Sequence, residues 1–112
     1  MPTPLHEAKA DLFRALGHPV RVRALELLLP GPAAVKDLLA EIPVTAASLS
    51  QQLAVLRHAG LVTAERRDGG VTYSLAADDV AALMAAARSF LSSVLTSRED
   101  RIGEVRALES RP

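Results

Sequence analysis

Apolar residues recur at helical spacing in several stretches of the chain, and glycine or proline separates each stretch from the next. From Pro4 to Leu16, Leu5, Ala8, Leu12, Phe13 and Leu16 share one stripe, while Glu7, Lys9, Asp11 and Arg14 lie off it. The pattern predicts a first helix ended by Gly17. His18-Pro19 opens a second helix, because proline is favoured where its missing N–H costs nothing. In the run that follows, Val20, Ala24, Leu27 and Leu28 are expected inward and Arg21, Arg23 and Glu26 outward. Pro30-Gly31-Pro32 stops it. Residues 33–41 form a third, short helix on Val35, Leu38 and Leu39, and His18 is expected to cap the second.

Residues 45–62 are the stretch that organises the rest. Leu49, Leu53 and Leu56 follow the i, i+4, i+7 rule of one buried face, and Thr45 is a suitable N-cap. The opposite face carries Ala47, Ser48, Gln51, Ala54 and His58, flanked by Ser50 and Gln52. It is small, polar and nearly uncharged. A solvated helix face usually carries Glu and Lys. Amide and hydroxyl side chains suit base edges in a groove, where Gln forms paired hydrogen bonds. The same residues also fit an ordinary amphipathic helix with a modest polar side. With the third helix and a three-residue connection at 42–44, the stretch makes a helix-turn-helix. Gly60 ends it. Two short strands follow, 61–67 and 71–75, joined by a turn at Asp68-Gly69-Gly70. The hairpin is a wing with Arg66 and Arg67 at its tip.

Asp78 starts a long last helix. Val80, Leu83, Met84, Ala87, Leu91, Val94 and Leu95 give it more apolar surface than one small core needs. The excess predicts a partner helix from a second copy, although a tightly packed terminal helix has the same pattern. Ser97 with Asp100 resembles a capping pair, so a break is expected near 97, with Ile102, Val105 and Leu108 continuing beyond it. The fold class is therefore mainly α with a small β-hairpin. A single winged helix-turn-helix domain spans 1–112: helices at 1–16 and 78–109 for dimerisation, the helix-turn-helix at 33–58 and the wing at 61–75.

Composition narrows the chemistry. The chain has 112 residues, enough for one core, and no cysteine, which excludes disulfides, thiol switches and zinc–thiolate sites. No apolar run is expected to reach the ~20 residues of a membrane span, and no secretory signal opens the chain. A cytoplasmic protein without a membrane partner is the expectation. The 13 basic and 13 acidic residues cancel, so any nucleic-acid contact must come from local placement. Asp78-Asp79 fits a helix start, where the dipole favours acids, better than a catalytic pair. No nucleophile motif and no phosphate-cradling glycine loop occurs. No catalytic residue, no cofactor and no metal site is expected. His6, His18 and His58 are scattered; among the metal arrangements they leave, His6 with an Asp or Glu of the last helix, across a dimer, is the strongest candidate.

Three segments, LGHPVRVRALELL, SLSQQLAVLRHAGLV and ERRDGGVTYSL, occur in the order and spacing of the ArsR/SmtB-type winged helix-turn-helix repressors, and the chain resembles that family from about Phe13 to Phe90. The resemblance implies a homodimer paired through the first and last helices. It implies that helix 45–58 lies in the major groove of double-stranded DNA and the wing on the flanking backbone, over an inverted-repeat operator. Pro19 and Arg21 match the family's entry to the second helix. Thr45, Ser48, Ser50, Gln51 and Gln52 match its recognition surface, and Arg67, Gly69 and Tyr73 its wing. Gln52 stands where many members have His, and Pro43 where Gly is common. Ala34 and Lys36 occupy the positions of the family's metal-binding thiolates. Asp79 is present at a second metal site, but Ala81, Ser92 and Leu95 stand near its other ligands, so neither site survives. The DNA-contacting set expected is Thr45, Ala47, Ser48, Ser50, Gln51, Gln52, Arg57, Arg66, Arg67 and Gly69. Ser48, Gln51 and Gln52 would read bases; Arg66 and Arg67 would hold phosphates, with Ser50 and Arg57 near the backbone. An unidentified small-molecule effector at a dimer interface, a metal sensor with unusual ligands, and a winged-helix protein-interaction module that leaves DNA untouched all fit the same sequence.

Overall fold

In the computed structural model the backbone is described for residues 2–109 and the side chains for residues 2–99. The order is α1 (Leu5–Leu16), α2 (Pro19–Leu28), β1 (Ala33–Ala34), α3 (Val35–Glu41), α4 (Ala46–His58), β2 (Val62–Arg67), β3 (Gly70–Leu75) and α5 (Asp78–Glu109). The chain divides into two compact units, one ending at Ala81 and the other beginning at Ala82.

The first unit holds the winged helix-turn-helix. Its core is aliphatic: Ala24, Leu25 and Leu28 of α2, Leu38 of α3, Ile42, and Leu49, Leu53 and Leu56 of α4. Leu61, Val62 and Val80 complete it. The α4 stripe is the expected one. In α2, Leu25 is buried and Leu27 and Val20 are only half-buried. Five apolar residues in the run ALELLL permit two neighbouring faces, and packing selects the one through 24, 25 and 28.

The sheet has a third strand. Ala33 and Ala34, expected to open α3, are extended and pair antiparallel with Tyr73 and Thr72, giving the order β1-β3-β2. Alanine favours a helix, but this pairing gives the backbone its hydrogen bonds, and α3 begins only at Val35. In the wing, Arg67 pairs with Gly70, so the loop is the two residues Asp68 and Gly69. Their φ values of 50° and 79° are both left-handed, as a type I′ turn requires.

Helix ends follow local chemistry. His18 Nδ1 accepts the Val20 N–H at 3.1 Å and caps α2, as expected. After α4, Gly60 at φ 80° lets its own N–H reach the Arg57 carbonyl and the Leu61 N–H reach that of Leu56, both at 3.0 Å. These two bonds are a Schellman motif. Gly17 ends α1 differently. Its φ is −83°, so its freedom to turn left-handed is not used.

α5 runs unbroken through the position expected to interrupt it. Thr96 donates its hydroxyl to the Ser92 carbonyl one turn back, which keeps that polar group inside the helical pattern. The side chains of Asp100, Ile102, Val105 and Leu108 lie outside the described residues. One expectation is overturned here. Asp78–Glu99 is long enough, and over its most apolar 18-residue stretch apolar enough, with a mean hydropathy of 1.4, to cross a membrane by length and composition. Alanine and serine break the apolar run without charging the helix, and Arg88 is the lone charge between Val80 and Thr96.

Candidate nucleic-acid interface

α4 is closed at both ends. Thr45 Oγ1 accepts the Ser48 N–H at 3.1 Å, satisfying one of the orphan donors of the first turn. Arg57 and His58 occupy the last turn, where the dipole favours positive charge. Because Leu49, Leu53 and Leu56 are buried, the helix turns Ala47, Ser50, Gln51 and Ala54 to solvent, with His58 at the far end of the same face. No acid interrupts it. Arg57 is exposed at one side.

The expected reading residues separate into two kinds. Gln51 is exposed. Ser48 and Gln52, one turn apart, are half-buried at the edge of the face. Gln52 Oε1 accepts from Arg21 Nη1 at 2.8 Å. Since a guanidinium is donor-only, this bond directs the amide oxygen toward α2 and leaves the NH2 group to face elsewhere. Thr45 is exposed, with its hydroxyl engaged in the cap.

In the wing, side chains alternate across the ribbon, so Arg66 and Arg67 project from opposite faces. Arg67 shares its face with Glu65 and donates Nη2 to Glu65 Oε2 at 2.9 Å. Both partners are more than half exposed, so water competes for the pair and its net worth is about 0–1 kcal/mol. A phosphate can take the arginine from it. A groove of about 570 Å³ runs between the wing tip and the start of α3, with Lys36, Arg67 and Gly69 on its wall. Lys36 is not among the residues the sequence pattern predicts for the interface. Only the β1–β3 pairing, carried by two alanines, brings it beside the wing.

A second cleft, about 1140 Å³, opens between the end of α1 and the C-terminal half of α4. Arg14, Arg21, Arg57 and His58 line it with Asp11, and Val55 contributes an apolar patch. Among the described residues no three His, Asp or Glu side chains come together as a metal site would need.

This geometry has close counterparts. Residues 18–64 match the family described as bacterial regulatory protein, arsR family. The HTH-type transcriptional regulator Rv0081 of Mycobacterium tuberculosis is 44% identical over 105 residues, covering 93% of this chain and 92% of that protein. The chain belongs to the ArsR family. This ArsR-family regulator also superimposes on the crystal structure of Rv0081 with a TM-score of 0.80, at 45% identity over 87% of this chain and 98% of the other. The homodimeric winged helix-turn-helix DNA-binding domain Mb0332 of Mycobacterium bovis gives 0.75, at 30% identity over 81% and 84%. The transcriptional repressor BigR of Xylella fastidiosa gives 0.70, at 33% identity over 76% and 87%. With the family, the chain's character as a DNA-binding transcriptional regulator is established.

Proposed function

We propose that this ArsR-family protein is a homodimeric repressor, not an enzyme, that binds an inverted-repeat operator through α4 and the wing. The observation that carries the reading is the exposed, acid-free Ser/Gln face of α4, presented by a helix whose opposite side is wholly buried. Gln51 is the base reader of this face, and Ser48 and Ser50 adapt around it. Arg66, Arg67 and Lys36 hold phosphates on the flanking backbone.

The dimer is supported by apolar surface that water should not meet. Leu5 and Phe13 of α1 are 70% and 58% exposed; Phe90 and Leu91 of α5 are 67% and 53% exposed. A second copy paired through α1 and α5 covers these residues, as the homodimeric relative Mb0332 suggests. The same pairing accounts for the apolarity of α5 without a bilayer, which keeps the protein in the cytoplasm with its DNA. The test is a gel shift with DNA from upstream of the protein's own gene, alongside the mass in solution by light scattering. A dimer that retards this DNA supports the proposal. A monomer, or a protein that ignores this DNA while binding vesicles, overturns it.

A further inference from the structure

The Arg21 side chain, in the first turn of α2, reaches two other helices. Its Nε donates to the Ala15 carbonyl at 2.6 Å and its Nη2 to the Arg14 carbonyl at 3.1 Å. Both carbonyls belong to the last turn of α1, where intrahelical partners run out. Its Nη1 donates to Gln52 Oε1 on α4 at 2.8 Å. One half-buried, planar guanidinium therefore joins α1, α2 and α4.

Little else holds α1 at this end. Ala15 is its buried residue, and Gly17, which is not left-handed, closes the Arg14 carbonyl with its N–H at 3.1 Å and leaves the Ala15 carbonyl to Arg21. A guanidinium presents its donors in a rigid fork. Three acceptors bound to one fork cannot shift independently, so the angle between α1 and α4 is set at Arg21. Lysine has the same charge but no fork.

We propose that Arg21 is a positioning residue that, through Gln52, fixes the recognition helix relative to the dimer-forming helix and so sets the half-site spacing the protein accepts. The proposal rests on the reading of the dimer given above. In a two-fold dimer of this kind two recognition helices enter half-sites about 34 Å apart. If α1 belongs to the dimer interface, any rotation of α4 against α1 changes that separation. Gln52 then serves DNA binding by holding the helix rather than by reading a base. Its half-buried place at the edge of the face and its engaged oxygen agree with this.

The test uses the full-length protein and fluorescence anisotropy. The half-site is selected from a random DNA pool with the wild type, then placed in inverted repeats whose separation changes one base pair at a time. The wild type should favour one separation. Arg21→Lys keeps the charge and loses the fork; Gln52→Met keeps the length and loses the acceptor. Each should bind the favoured repeat roughly tenfold more weakly, the scale of one hydrogen bond to a charged group. Each should also discriminate less between separations, with base preference inside the half-site unchanged. Gln52→Glu restores an acceptor for Arg21 and should restore the discrimination. Thermal melts of every variant set the temperature of the titrations, and the Gln52 pair carries the test if Arg21→Lys does not fold. A spacing profile that Arg21→Lys and Gln52→Met leave intact overturns the proposal alone. So does a Gln52→Met variant that loses preference for one base and keeps its spacing. A wild type with no spacing preference overturns the dimer reading and this proposal together.

Discussion

The hydroxyl of Thr45 accepts the backbone N–H of Ser48 at 3.1 Å, so the residue that begins α4 also closes its first turn. Thr45 was expected among the DNA-contacting residues, and the structure gives its side chain a local task. Thr45→Ala should lower unfolding stability by about 1 kcal/mol, and Thr45→Ser should recover most of it. Urea unfolding of the three proteins, compared at constant m-value, measures this. Equal midpoints for all three would show that the cap contributes nothing.

The buried side of α4 allows a larger effect. Leu53 is 1% exposed within an aliphatic core. Leu53→Ala should cost about 2–5 kcal/mol through lost burial and the cavity left behind, seen as a large fall in denaturation midpoint. A loss under 1 kcal/mol would mean that the core collapses around the gap.

On the exposed side, Gln51 and Gln52 should part company. Gln51→Ala should lower affinity for the selected operator by about 1–3 kcal/mol, the scale of one bidentate base contact, while binding to random DNA stays nearly unchanged. Competition titrations against both DNAs separate the two. Equal losses on each would remove Gln51 from base readout.

The wing is tested by salt. Arg67→Ala should weaken binding to all sequences and reduce the slope of log K against log salt by about 0.9 per lost phosphate contact. Glu65→Gln removes the carboxylate that Arg67 now meets at 2.9 Å and should strengthen binding at every salt concentration. An unchanged slope in Arg67→Ala, or weaker binding in Glu65→Gln, would place the wing away from the backbone.

The legible parts of the fold were those with local chemistry. The Leu49, Leu53 and Leu56 stripe, the Thr45 and His18 caps, the Gly60 stop and the Asp68-Gly69 turn each rest on contacts within a few residues. What escaped depends on partners far along the chain. Ala33 and Ala34 become a strand only because β3 is beside them, and nothing in two alanines announces it. Lys36 comes beside the wing by the same pairing. Gln51 and Gln52 are identical residues at adjacent positions, and burial and the tertiary bond from Arg21 tell them apart. The apolarity of α5 is hard to see in the sequence because alanine-rich helices lack long aliphatic runs.

The central claim is that α4, presented twice by a homodimer, reads an inverted repeat. The most direct measurement is the equilibrium affinity of the wild type for the selected inverted repeat, for one half-site alone and for a shuffled duplex, at a single physiological salt concentration. The inverted repeat should bind at least about 10³-fold more tightly than the shuffled duplex, with the single half-site far weaker than the repeat. Equal affinity for all three would contradict the account.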